Sequence, residues 1–348
     1  ISKSRSSWIP AKPTPTNSQS LAKTRDFCYD RNMNFEKIEE AFGLLLENVQ
    51  TIQNQLGTNF YDALIEQNAA NLGEAEDELI GKNNQRLREL DLTAEEWRRT
   101  FQFLFIKANQ TEPMQHNHQF TPDSIGFLLT FLLDELVAGQ TASVLEIGSG
   151  TGNLAQTILH HSQKQLDYLG VEVDDLLIDL SASMAEVMDS AISFVQGDAV
   201  RPQILKESQI IISDLAVGYY PNDAIAQRYQ VASPEGHTYA HHLLMEQSLK
   251  YLAKDGYAIF LAPNDLLTSE QSPLLKAWLQ DQASVVATIA LPTNLFGNPN
   301  QAKSIFILQK KGHLSGPTFV YALQDLQNSE DLQDFVNNFK NWKAEHAF

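Results

Sequence analysis

Cysteine is almost missing from this 348-residue chain. Cys28 stands alone, so no disulfide can close within the chain, and cysteine by itself cannot build a thiolate zinc site. This usage fits a reducing compartment, and a cytoplasmic location is expected. Positive charge is scarce too: 25 Lys and Arg face 43 Asp and Glu, for a formal net charge of −18. Nonspecific nucleic-acid binding relies on Lys and Arg to neutralise phosphates, so any contact with DNA or RNA is expected to be made through a local groove or with help from a partner protein. Long apolar runs are also wanting. The longest, Ile125 to Leu133, is too short to cross a bilayer and is closed by Asp134, so no membrane span is expected. The nine histidines include His116 with His118 and His241 with His242, but no Cys or carboxylate falls at a zinc-protease or zinc-finger spacing. No metal is expected, and these histidines read as surface or groove residues.

With 43% hydrophobic and 20% charged residues, the composition is that of a soluble globular protein long enough for about two domains. Residues 1–32 are rich in Ser, Thr, Pro and Asn and carry Lys3, Arg5, Lys12, Lys23, Arg25 and Arg31 against Asp26 and Asp30. They lack the apolar core of a signal peptide and read as a disordered leader. The sign of the charge reverses near Met33, which suggests a natural start there; a genuine flexible basic arm is the alternative.

Residues 33–110 read as a helical N-terminal domain. Phe35, Ile38, Phe42, Leu45, Leu46, Val49, Ile52 and Leu56 form one stripe, which Gly57 punctuates. Further helices are expected near Tyr61–Asn71, Glu76–Arg88 and Ala94–Ala108, the last opened by Thr93. The acidic residues of this segment read as a solvated face.

From 111 to 348 the pattern changes to β-branched runs alternating with amphipathic stretches. Strands are expected at Val144–Ile147, Tyr168–Val173, Ser193–Val195, Ile210–Ser213, Tyr257–Ala262, Val285–Leu291 and Ser304–Leu308. Such alternation predicts an α/β, doubly wound, Rossmann-like sheet with a ligand crevice at the carboxyl ends of its strands. Between the first strand and its helix lies Glu146-Ile147-Gly148-Ser149-Gly150-Thr151-Gly152. Glycine there permits positive φ and lets a ligand approach the backbone. The third glycine comes too early for a dinucleotide fingerprint, and Glu146 would repel a pyrophosphate, so the cofactor is expected to carry no phosphate. Glu172 ends the second strand, placed to accept from both ribose hydroxyls. Asp198 follows the third, where it accepts from an adenine amino group or merely caps a turn.

In order and spacing these motifs resemble class I S-adenosylmethionine-dependent methyltransferases, and more closely the modification subunits of type I restriction-modification systems and compact bacterial proteins similar to adenine-specific DNA methylases. The resemblance runs from about Met114 to Lys311. It implies S-adenosylmethionine as cofactor, bound by Phe120, Thr121, Pro122, Glu146, Gly148, Ser149, Gly150, Thr151, Gly152, Glu172, Asp198 and Asp214. Thr121 with Pro122 equally fits a helix cap. The late segment Ile289–Asn298 into Lys303–Lys310 is similar to the family's last hairpin. In the family the substrate loop reads Asn or Asp, Pro, Pro, aromatic, then Gly in the type I subunits. Here it reads Asp214-Leu215-Ala216-Val217-Gly218-Tyr219-Tyr220. An exocyclic amine has its lone pair delocalised, so acceptors must hold its hydrogens and aim the nitrogen; Asp214 and the Leu215 carbonyl fit that task. Val217 cannot stack on a base, which leaves Tyr219 or Tyr220 for that role.

The resemblance thus implies methyl transfer to adenine N6 of DNA, with Asp214, Tyr219 and Tyr220 as catalytic candidates. A methyltransferase acting on RNA, protein or a small molecule is the first alternative. A cofactor-binding interaction protein without transfer activity is the second.

Overall fold

The computed structural model describes residues 33–112, 120–296, 301–312 and 316–346. The leader, His116 and His118 lie outside the described residues. Four helices come first: α1 (Phe35–Leu56), α2 (Phe60–Leu72), α3 (Glu78–Glu89) and α4 (Ala94–Ala108). Each opens on a polar cap. Asn34, Asn59 and Asp77 accept from the first-turn amides of α1 to α3, and Thr93 with Glu96 closes a capping box on α4. Gly57 ends α1 in the left-handed region at φ 65°, a conformation open to glycine at little cost.

The rest alternates. Helix α5 (Asp123–Leu136) precedes β1 (Thr141–Ile147), α6 (Asn153–His161), β2 (Gln165–Glu172), α7 (Asp175–Val187), β3 (Ser193–Gln196) and β4 (Ser208–Asp214). Then come α8 (Asp223–Ala226), α9 (Ala240–Tyr251), β5 (Leu252–Pro263), α10 (Ser272–Gln282), β6 (Ala283–Ala290), β7 (Lys303–Lys310), β8 (Phe319–Ala322) and α11 (Ser329–Glu345). The strands form one sheet in the order β3-β2-β1-β4-β5-β7-β6-β8, in which β7 runs antiparallel to both of its neighbours. All seven expected strands are present, within a doubly wound α/β sheet.

Alternation along β4 shows why the sheet is covered on both faces. Ile210 and Ile212 point into one core with Leu128, Ile158, Ile259 and Ile305, whereas Ile211 points into the other with Leu145, Leu243, Phe260 and Phe306. Helices α5, α6 and α11 cover the first face, and α9 and α10 the second. The order of the sheet reverses between β1 and β4, so their carboxyl ends open the crevice where this architecture binds ligands.

The N-terminal helices share an apolar core with α7: Leu45, Val49, Leu64, Phe101 and Leu104 pack with Leu177, Leu180 and Met184. Polar pins join α4 to the sheet. Arg98, 2% exposed, donates to Glu95 at 2.6 and 2.7 Å, to Asp123 at the start of α5 and to Thr157 of α6. Burial raises the pKa of Glu95, but the hydrogen bonds from Arg98, the neighbouring His161 and the charges of Arg98 and Arg99 outweigh it, leaving the carboxyl well below the usual range. The expected solvated acidic face holds for Glu36, Glu39, Glu40, Glu66, Glu74 and Glu78, which are exposed, and fails at two residues of α4. Glu95 and Glu96 are buried, because one anchors the arginine pair and the other closes the α4 cap and receives the Asn34 amide.

Candidate active site

The crevice is built from the turns that leave β1, β2, β3 and β4. After β1, Gly148, Gly150 and Gly152 all take positive φ, at 71°, 55° and 76°. A Cβ at Gly148 or Gly150 would meet nothing within 4 Å, so the backbone there faces open space that a ligand can enter. Gly152 is tight instead: its Cβ would lie 3.0 Å from the Phe194 ring and 3.1 Å from Ser181 Cβ. The loop is fastened from beneath. The Gly148 and Ser149 amides donate to the Val171 carbonyl, and Gly150 N–H donates to Glu172 Oε2 at 2.8 Å. Gly170 makes room for this, since a Cβ there would sit 2.9 Å from the Ser149 side chain. Ser149 Oγ is buried with no hydrogen-bond partner among the described residues.

The acidic residues differ in what they hold. Glu172 also accepts from the amides of Val173 and Asp174, so its carboxylate is oriented by three backbone donors. Glu146, 1% exposed, is tied to the Tyr168 hydroxyl at 3.0 Å. Burial pushes its pKa up to about 8; the Tyr168 hydrogen bond opposes this, and the negative charges of Glu172 and Asp214 add to it. Asp198 accepts from the Val200 amide as a turn residue would, and also from Arg201 and, at 2.5 Å, from the Tyr220 hydroxyl. Open glycine backbone beside Glu146, Glu172 and Asp214, with no basic residue among these motif positions, fits a cationic, phosphate-free cofactor with a ribose diol.

Asp214 ends β4, and each of its oxygens has a donor. Thr121 Oγ1 donates to Oδ2 at 2.8 Å, and Lys303 Nζ, from the start of β7, pairs with Oδ1. Thr121 does not cap α5, since Pro122 occupies the cap position and no side chain caps that helix. Phe120 sets its ring edge against Phe105 of α4, 4.9 Å between centroids. Beyond Asp214 the chain is pinned by backbone bonds, Leu215 N to Leu261 O, Tyr220 N to Thr238 O and Ala240 N to Gly218 O. Gly218, at φ 136°, precedes two adjacent tyrosines, the first of which forms a bridge with Tyr239.

Those tyrosines part ways. Tyr220 is buried against Asp198, and burial, followed by that bond, raises its pKa to about 12. Tyr219 is 57% exposed and stacks on Tyr239 at 5.0 Å, which stacks in turn on His241 at 5.1 Å. His241 and His242 are therefore not surface residues. Both are buried, and desolvation lowers their pKa values to about 4 and about 3, with the Lys303 charge adding to the first and the His241 charge to the second. Sequence reasoning missed Lys303 and Tyr239 as parts of this site. A lysine opening an apolar strand is ordinarily a surface residue, and nothing local in the sequence announces its pairing with a carboxylate 89 positions away.

No group of three or more His, Cys, Asp or Glu that could hold a metal ion occurs among the described residues. None of their helices is long and apolar enough to cross a membrane.

Comparison with known proteins bears on the same region. The family model described as N-6 DNA Methylase matches residues 99–348, starting inside α4. The uncharacterized protein YtxK of Bacillus subtilis is 31% identical over 326 residues, covering 89% of this chain and 98% of the relative. A Listeria monocytogenes structure assigned to the class I S-adenosylmethionine-dependent methyltransferases superposes with a TM-score of 0.79 at 28% identity, covering 89% of this chain and 99% of the other. The methyltransferase subunit of a type I restriction-modification system from Streptococcus thermophilus shares the fold at a TM-score of 0.59 and 14% identity, over 92% of this chain and 76% of its own. With its β1 glycine loop, its reversed β7 and a family match over more than half its length, the chain belongs to the N-6 DNA methylase family of S-adenosylmethionine-dependent methyltransferases.

Proposed function

We propose that the protein transfers a methyl group from S-adenosylmethionine to an exocyclic amine, adenine N6 in DNA, in the crevice beside Asp214. The observation that carries this reading is the position of Asp214 at the end of β4, oriented by Thr121 and followed by the Leu215 carbonyl. S-adenosylmethionine supplies an electrophilic methyl group on a sulfonium. The side chains named here bind and aim. Glu172 accepts from the ribose hydroxyls, Asp198 from the adenine amino group of the cofactor, and residues 148–152 offer backbone without side chains in the way. Phe120, Thr121 and Pro122 line the methionine end.

For the acceptor, Asp214 and the Leu215 carbonyl draw the hydrogens of the amine and turn its lone pair toward the methyl carbon. With the cofactor bound, its methyl carbon would be the electrophile and its sulfur the leaving group, and the surplus proton of the amine would leave for solvent. Tyr219, exposed and backed by Tyr239, is the stacking platform for an extruded base in place of Val217. Tyr220 braces the loop through Asp198 rather than meeting the base. Residues 111–348 form the transferase domain and residues 33–110 a helical domain against α7. We assign the protein to the cytoplasm, with DNA held in a local groove, alone or together with a partner protein.

The departures at Leu215, Ala216 and Val217 and the charge of −18 favour a second reading, in which the same transfer goes to RNA, a protein or a small molecule. Incorporation of labelled methyl into unmethylated DNA, with RNA and protein fractions counted in parallel, separates the two. Label in DNA adenine that vanishes with Asp214→Ala supports the DNA assignment. Label confined to RNA or protein overturns it.

A further inference from the structure

An acceptor amine is recognised in this site by two oxygens, the Asp214 carboxylate and the Leu215 carbonyl. Both are already engaged by one group of the chain itself. Lys303 Nζ pairs with Asp214 Oδ1 and lies 3.5 Å from Leu215 O. The lysine is not a distant surface charge that happened to fold over. It is the first residue of β7, fixed in register opposite Pro263 at the end of β5, and its side chain is 19% exposed. The sheet order β4-β5-β7 puts it on the crevice side, beside the end of the strand that delivers Asp214. His241 lies close enough to feel the Lys303 charge, and burial together with that charge keeps it neutral. Tyr239 stacks on the His241 ring.

From this geometry we infer that Lys303 Nζ occupies the acceptor-amine subsite and is itself a methyl acceptor, so that the protein methylates its own Lys303 when cofactor is bound and no outside amine has displaced the side chain. The inference rests on the methyltransferase reading of the site. In chemical terms the ammonium first gives one proton to the Asp214 carboxylate, which passes it to solvent. The neutral nitrogen then attacks the methyl carbon. A nitrogen–carbon bond forms, the sulfur–carbon bond breaks, and the electron pair stays on sulfur, leaving S-adenosylhomocysteine and a singly methylated Lys303. No oxidant or further reactant is required. The product keeps its charge but has one hydrogen fewer for the two oxygens, so the modified side chain holds the subsite less firmly.

The test incubates the purified full-length protein with isotopically labelled S-adenosylmethionine and no added acceptor, then maps the label by peptide mass spectrometry. Lys310, which is partly exposed and also beside a carboxylate, serves as the internal reference for indiscriminate methylation. The expected result is a single methyl on Lys303, arriving at least about tenfold faster than on Lys310 because Lys303 is held against Asp214 and the Leu215 carbonyl. Lys303→Met removes the label while retaining cofactor binding measured by equilibrium dialysis. Methylation spread evenly over lysines, or none at Lys303 in protein that demonstrably binds the cofactor, overturns the inference and leaves the transferase reading standing. Failure to bind the cofactor at all brings down that reading and the inference with it.

Discussion

In the proposed function Asp214 holds the acceptor amine, and its replacement by Ala should then cut methyl transfer by about 10²- to 10³-fold, the scale on which removing one well-placed polar group acts. Single-turnover methyl incorporation is the measurement; an unchanged rate would mean that the amine is held elsewhere. Glu146 makes a different prediction. Its folded pKa of about 8 lies above the ordinary value of 4.5, because burial disfavours its charged form. The folded state therefore holds the proton between those values while the unfolded state does not, and this contribution to stability is complete below pH 4.5 and lost as pH rises through about 8. Glu146→Gln keeps the Tyr168 contact without an ionisable group. Its urea midpoint should fall less than that of the parent protein between pH 6 and 8.5, and parallel midpoints would show that Glu146 is not protonated in the fold.

The glycine loop and the α4 latch show how local geometry is set by neighbours. Gly152→Ala places a methyl against Phe194 and Ser181 and forces an L-residue into φ 76°, costing roughly 1–2 kcal/mol for the backbone alone. The expected readout is a lowered thermal midpoint together with weaker cofactor binding, whereas Gly43→Ala in α1, with open space around its Cβ, should be harmless or stabilising. Arg98→Met removes the cation between Glu95 and Asp123 and leaves their carboxylates with a smaller share of positive charge. Breaking a buried pair of this kind costs about 3–5 kcal/mol, so denaturant titration should show a large loss. The glycine loop was legible in the sequence because φ preference is a property of the residue type. The arginine latch was not, because Arg98 meets Asp123 and Thr157 only after α4 has docked on α5 and α6.

At the level of the assembled protein, charge governs how it can meet a nucleic acid. A net charge of −18 gives poor general affinity, so binding to unmethylated DNA should be weak and confined to a short footprint, with a shallow dependence on salt that reports few phosphate contacts. A fluorescence-anisotropy titration across salt concentrations measures that slope; a steep slope would point to a broad basic surface that the composition does not offer. The shared core of α1, α2 and α4 with α7 makes a second statement. Removing the N-terminal helices would expose Leu177, Leu180 and Met184, and the truncated protein should aggregate or bind a hydrophobic dye where the full chain does not.

Periodicity and glycine placement determined most of this architecture before any tertiary contact was considered. Alternation along β4 and β5, the 3.6-residue stripe of α1 and the Gly148–Gly152 turn are written in neighbouring residues, so the seven strands and the cofactor loop could be read directly. The short β8 and helix α11 escaped that reading. Four residues make too short a run to announce a strand, and Phe335, Phe339 and Trp342 show their purpose only when they cover the sheet edge. The same holds for the chemistry. Asp214 stood out through its place after a strand, but which tyrosine faces outward was decided by the bridge of Tyr219 to Tyr239 and by the hydrogen bond of the Tyr220 hydroxyl to Asp198. The burial of His241 and His242 and the seating of Lys303 on Asp214 were decided by sheet order, since groups far apart in the chain become neighbours only when β4, β5 and β7 lie side by side. Local preference belongs to the sequence. Which charge meets which acceptor belongs to the packing.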